Sequence, residues 1–297
     1  MQTLYAQSRD KELNDKDVLK YYQHSIDGTI DLFLFNLYLL IEITKVSVED
    51  ESNIISKYLT TVDDKLFKST LYHNDIIKGL VNNKDLKSKL EKLNFQEEID
   101  QDVIRKLYKS FSETTEYSDY WHNRKNNEDD QNILLELYRF LRANENFVEL
   151  IEDKYFQWTS EKSVVIGTVK KIIKRSNFDG NFIESYYPDD DTIKELGDSL
   201  LKKCLDIEPE LEKYVVPKLL KWDKDRITVI DMDSNKMSLA EVLFFPSIPT
   251  NVTLNEYVEL SKEFSTDKSK EFINGVMDRV IKDLTEQNLI DKKSSES

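Results

Sequence analysis

The first 187 residues of this chain contain no proline: all five prolines lie at or beyond Pro188, and only six glycines occur in 297 residues. Helix interiors exclude both residue types, whereas a strand-rich fold needs them in its turns. The expected fold class is therefore all-α. Charged residues make up 33% of the chain, yet 14 Phe, 15 Tyr and 3 Trp provide ample bulk to bury, so a packed fold rather than disorder is expected. The length suits one large domain or two ordinary ones.

Several function classes are excluded. A lone cysteine, Cys204, cannot form an intrachain disulfide and fits a reducing compartment. No signal peptide is recognisable after Met1, and the longest apolar run, Leu32 to Ile41, is interrupted by Asn36. That run is far short of the roughly 20 residues that span a bilayer, so it reads as a buried helix, with no membrane partner and a cytoplasmic location. His24, His73 and His122 are scattered without metal-ligand spacing. No Gly-rich phosphate loop, nucleophile motif or Cys/His cluster is found, so no enzyme, cofactor or metal is expected. The Asp189–Asp191 run fits a solvated loop better than a cation site. A net charge of −15 argues against autonomous nucleic-acid binding, which rests on Lys and Arg displacing counterions.

Along the chain, apolar residues recur at three- and four-residue spacing. Leu32 to Ile43 is apolar nearly all round, with Asp27, Gly28 and Asp31 where a helix could begin. A second helix is expected from Ile54, and a third over Asp75 to Leu80 capped by Asn74 or Asp75. Leu90 to Phe111 and Ile133 to Leu141 follow, with 126–131 read as a polar loop. Val164 to Ile173 is open between helix and strand. It ends in the one dense basic patch, Lys170, Lys171, Lys174 and Arg175, which fits a solvated helix end or an extended RNA surface. A loop over 175–191 is the best domain break. Leu196 to Leu205 is a helical face, and Pro209 opens the next helix, whose far end Leu219, Leu220 and Trp222 bury.

From Trp222 the pattern is specific. Trp222, Arg226, Asp231, Met237 and Glu241 lead into Phe245, Pro246, Ile248 and Pro249. Leu254-Asn255-Glu256-Tyr257-Val258-Glu259-Leu260 follows, and Phe272-Ile273-Asn274-Gly275-Val276-Met277-Asp278 closes the pattern. The prolines stop one helix and hold an extended connector. Leu254, Tyr257, Val258 and Phe264 form a stripe on the next helix. Ser265, Thr266 and Asp267 are N-cap candidates for a last helix carrying Phe272, Val276, Val280 and Leu284 on one face.

This wording resembles the C-terminal signature of the NusB antitermination family. The resemblance covers about a third of the chain, from Leu196 to Leu284, and Gln2 to Tyr5 resemble the end of the family's first helix. The length of the chain resembles the long, Bacteroidetes-type form. The resemblance implies NusB-like helical bundles with an added helical N-terminal region. The division expected is 1–13 as a remnant of the first NusB helix, 14–175 as the helical N-terminal region or insertion, 176–290 as the NusB-like domain, and 291–297 as a disordered tail. It also implies a non-catalytic transcription factor that pairs with the ribosomal protein NusE and binds boxA RNA within the RNA polymerase antitermination complex.

Residue by residue, the resemblance carries RNA contact onto Tyr5, Lys268, Lys270 and Phe272, and contact with NusE onto Asp231 and Glu241. Phe272 fits a core role equally, the two lysines fit solvated surface, and Asp231 fits a helix cap. Asn255, Glu256, Asn274 and Gly275 read as ties between helices. Three departures stand out. Lys268 stands in the loop before the last helix, where an acidic residue is common in the family. Lys236 replaces the family's usual Arg and loses its planar fork. The Arg-rich arm expected ahead of Tyr5 does not occur in this sequence, which reads as a late start codon or a shortened chain. The alternative is an acidic helical protein-binding scaffold with little autonomous RNA binding.

Overall fold

A computed structural model describes residues 1–10, 12–58, 61, 67–189, 191–221, 227–266 and 268–290. The expectations for Asp190, Trp222 to Arg226, Asp267 and the 291–297 tail lie outside the described residues, as does the side chain of Leu220. Among the described residues there is no strand. The described residues form two compact units, one from the ranges 1–24 and 188–290, the other from 25–187.

The second unit is built from the later part of α2 (Asp15–Ile55) and α3 to α9. Gly28 does not begin a helix, as had been expected, because α2 starts at Asp15, where Asn14 Oδ1 accepts from the backbone N–H groups of Lys16 and Asp17. Gly28 serves close packing instead, since a Cβ there would stand 2.9 Å from Gln157 Nε2. Ile54 likewise lies in the last turn of α2 rather than starting a helix. Leu32 to Phe35, Leu37 and Leu39 to Ile41 are all buried, which explains a stretch that is apolar on every side. The one polar intruder is satisfied: Asn36 Nδ2 donates to Leu32 O at 2.9 Å, and Tyr138 Oη donates to Asn36 Oδ1 at 3.1 Å.

Helix ends in this unit are set by capping side chains rather than by proline. Asn74 caps α3 (Asp75–Asn82), Asn83 caps α4 (Lys84–Leu93), and Asp100 caps α5 (Gln101–Ser112). Thr114 caps α6 (Thr115–Asn123), and Asn144 caps α8 (Glu145–Glu152). The expected 126–131 loop is the start of α7 (Asn127–Arg142), where Asn126 and Asp129 form a reciprocal capping box. Val164 to Ile173 resolves to the end of α9 (Trp158–Ile173). Fully buried Asp130 is held by Arg124 Nε at 2.6 Å, Arg124 Nη2 at 2.8 Å and Tyr120 Oη at 2.8 Å.

The first unit contains α1 (Gln2–Arg9), the start of α2, α10 (Ser199–Asp206), α11 (Val229–Phe244), α12 (Thr250–Phe264) and α13 (Ser269–Glu286). The chain before α10 is a π-helix over Asp191–Asp198. Tyr22 Oη donates to the carbonyl of Ile193 in that segment, at 3.1 Å. A further π-turn at Leu211–Val215 runs into a 3₁₀ turn at Val216–Lys221, next to Pro217, which has no N–H to extend an α-helix. Phe272, Val276, Val280 and Leu284 are buried together as the spacing requires, and α11 packs against α1, α10, α12 and α13. Of the expected α12 stripe, Tyr257 is buried and Leu254, Val258 and Phe264 are half-buried. Asn255, Glu256 and Asn274 are exposed, so they are not the ties between helices that had been expected.

Candidate nucleic-acid and partner interface

The family-like residues gather at the N-terminus of α11. Thr228 Oγ1 accepts from Asp231 N at 3.1 Å, and Asp231 Oδ2 accepts from Thr228 N at 3.1 Å, closing a capping box. A carboxylate at a helix N-terminus also meets the positive end of the helix dipole. The second Asp231 oxygen accepts from Ser265 Oγ at 2.8 Å, and Ser265 Oγ lies 2.8 Å from Ser269 Oγ. Ser269 Oγ in turn accepts from Thr266 N at 3.2 Å. Ser265 and Thr266 therefore do not cap α13; its N-cap is Lys268, and their hydroxyls secure the turn instead.

This network joins the start of α11 to the α12–α13 turn. Ser269 is buried between two exposed lysines, Lys268 and Lys270. The structure thus brings together Asp231, Lys268 and Lys270. The other candidates differ in exposure or position. Tyr5 lies on α1 with 40% of its surface open, while Phe272 lies in the core at 4% exposed. Glu241 is near the far end of α11, about 15 Å from Asp231 along the axis at 1.5 Å per residue. It is buried and accepts from Tyr257 Oη at 3.1 Å. Burial, then the Glu241 charge, push the Tyr257 phenol well above its ordinary range.

Beside the capping box lies a cleft of 580 Å³, walled by Leu4, Leu13, Leu211, Ile227, Val229 and Met232 and edged by Gln7, Ser8, Asp233 and Lys236. Asp233 is buried, its Oδ2 has no hydrogen-bond partner, and burial raises its pKa to about 6 against the pull of Lys236. Lys236 itself pairs with Glu208 at 3.6 Å. Asn235 Oδ1 and Ser238 Oγ are also buried without a partner. Asp233, Asn235 and Ser238 were missed from the sequence. The available signal was α11 itself, which carries Asp231, Asp233, Ser234, Asn235 and Ser238 in its first turns and so shows no clean apolar stripe. Elsewhere the three histidines are exposed, and no group of residues suited to a metal ion occurs among the described residues. No described helix is long and apolar enough to cross a membrane.

Fold and site together define an all-helical protein whose candidate surface is made of a capped helix end and a lysine-bearing turn. The NusB family profile matches residues 169–282. A Natranaerobius thermophilus protein named transcription antitermination protein NusB is 40% identical over 75 residues, covering 25% of this chain and 54% of that protein. A protein of the same name from Chloroherpeton thalassium is 28% identical over 102 residues, or 34% of this chain and 46% of its own length. A third, from Clostridium botulinum, is 34% identical over 107 residues, or 35% of this chain and 78% of its own length. The chain thus spans about half the length of the first two relatives and most of the third. No solved structure matches it. The chain belongs to the NusB family.

Proposed function

We propose that the chain is a transcription antitermination factor, cytoplasmic and without a reaction of its own, that pairs with NusE. In this reading the pair binds boxA RNA within the RNA polymerase antitermination complex. The observation that carries it is the Asp231–Ser265–Ser269 network, which holds Lys268 and Lys270 on a pinned turn inside the family-matched region. A pinned turn presents charge to phosphate with less ordering cost than a loose one. Tyr5, with its open ring, can stack a base, whereas Phe272 can offer only its rim. Asp231 and Glu241, both already hydrogen-bonded, serve the NusE contact by fixing the two ends of α11. The expected division into 1–13, 14–175 and 176–290 shifts in this reading: the NusB-like domain is the unit holding residues 1–24 and 188–290, because 14–24 pack there and 176–187 pack in the added unit of 25–187.

A second reading, an acidic scaffold for NusE alone, is favoured by the charge of −15 and by the burial of Phe272. Calorimetric titration with NusE, followed by boxA RNA and a scrambled RNA, separates the two. Preference of the pair for boxA supports antitermination. Binding of NusE without RNA preference supports the scaffold. No binding of NusE overturns both.

A further inference from the structure

The end of α9 and the loop after it form a second charged site, in the 25–187 unit. Between Lys162 and Phe178 the sequence carries five cations and no carboxylate, in a chain whose net charge is −15. Lys170, Lys171 and Lys174 are exposed on the last turns of α9, and none has a carboxylate within ion-pair reach among the described residues. Arg175 is half-buried and held in place: its Nε donates to Asn177 O, and its guanidinium lies 5.3 Å from the centroid of the Phe182 ring. Those contacts use one edge and one face of the guanidinium, and among the described residues no acceptor lies on its two terminal nitrogens. A planar fork fixed in this way suits a phosphate.

The chain leaving Arg175 forms one wall of a polar cleft of 540 Å³. Its rim carries the exposed amides of Asn82, Asn177 and Asn181. The loop is tied down by Asn83, whose Nδ2 donates to the carbonyls of Phe178 at 2.7 Å and Gly180 at 2.9 Å. Asp85 lines the cleft and leaves Oδ2 unpaired, which disfavours phosphate inside it. Amide groups reach the edges of an unstacked base, and the cations beside them suit the backbone.

We propose that this is a second contact for single-stranded RNA, with phosphates on Lys170, Lys171, Lys174 and Arg175 and one base in the amide-rimmed cleft. The proposal rests on the reading that RNA is a ligand of the chain, and it places part of that contact outside the α12–α13 turn. The test is fluorescence anisotropy of a labelled 12-nucleotide single-stranded RNA between 50 and 200 mM salt, with the full chain. Three variants are compared: Lys170→Gln/Lys171→Gln/Lys174→Gln, Asn82→Ala/Asn181→Ala, and Lys268→Gln/Lys270→Gln. The first is expected to weaken binding about tenfold at the lowest salt and to flatten the log–log salt slope by about 2, at roughly 0.7 per lost phosphate contact. The second is expected to weaken binding with the slope unchanged; unaltered affinity overturns the base seat. Loss confined to the third variant leaves the proposed function standing and overturns this site, as does an RNA-independent acidic protein found on these lysines. Loss confined to the first supports this site and counts against the α12–α13 contact. No binding by the unsubstituted chain overturns this site, while the proposed function is decided by the titration of the pair with NusE.

Discussion

At the scale of single residues, the buried carboxylates divide into satisfied and unsatisfied ones, and the division sets opposite expectations. Asp233 has a pKa raised to about 6, chiefly by burial, against about 3.9 in an unfolded chain. The folded state therefore holds its proton more tightly, and stability falls as pH rises from about 4 through about 6. Asp233→Asn is expected to remove that loss, raising stability by about 1–3 kcal/mol at pH 7.5 and changing little at pH 4. Urea denaturation at both pH values checks it, and an equal gain at both would rule out the titration of Asp233 as the cause. Asp130 is the contrary case, fully buried but matched by the Arg124 fork and the Tyr120 hydroxyl. Arg124→Ala strands that charge and is expected to cost about 3–5 kcal/mol, while the double change Arg124→Met with Asp130→Leu costs clearly less. Equilibrium unfolding of both variants provides the comparison.

At the scale of elements, the recurring device is the side-chain cap, and α11 depends on it most. Its capping box and its link to the α12–α13 turn meet at Thr228, whose Oγ1 lies 3.2 Å from Ser265 Oγ. Thr228→Ala is expected to cost about 0.5–2 kcal/mol and Thr228→Ser a few tenths, because serine keeps the oxygen. Thermal unfolding of the pair reads this out, and equal losses would assign the effect to the methyl group instead. Caps also explain what the sequence revealed and what it hid. The absence of proline before Pro188 showed an all-helical fold, and the Phe272, Val276, Val280, Leu284 spacing placed the face of α13. Helix starts were harder to read. Asn14 and Asn126 begin helices inside polar stretches that look like loops, whereas Gly28, which looks like a start, lies within α2 for its close contact with Gln157. The candidate surface was legible as residues but not as a network. Ser265 read only as a cap candidate and Ser269 gave no signal, since Ser265 acts by reaching Asp231 across 34 positions of sequence and Ser269 by bonding Ser265. The buried polar side of α11 was hidden for the same reason: only tertiary neighbours decide whether Asp233 meets water.

At the scale of the whole molecule, charge decides. With a net charge of −15 and a pI near 4.8, the chain repels a polyanion at neutral pH, and only local cations oppose that repulsion. Those of the two proposed contacts are few and separate in sequence: Lys268 and Lys270 on the pinned turn, and Lys170, Lys171, Lys174 and Arg175 at the end of α9. Contacts with single-stranded RNA contribute about 0.7 each to the log–log salt slope. Six such contacts give a slope of about 4 in magnitude for the two proposed surfaces of the chain alone. The net negative field lowers affinity without adding contacts, so binding to RNA by the chain alone is expected to be no tighter than the range of about 10⁻⁴ to 10⁻⁶ M typical of non-specific association. If a basic partner completes the surface, as the antitermination reading requires, the slope must steepen and the affinity rise when NusE is added. Anisotropy titrations of boxA RNA at 50, 100 and 200 mM salt, with and without NusE, measure both quantities. A slope unchanged by NusE would mean that the partner adds no phosphate contacts, and the chain would then be the acidic scaffold that its composition alone suggests.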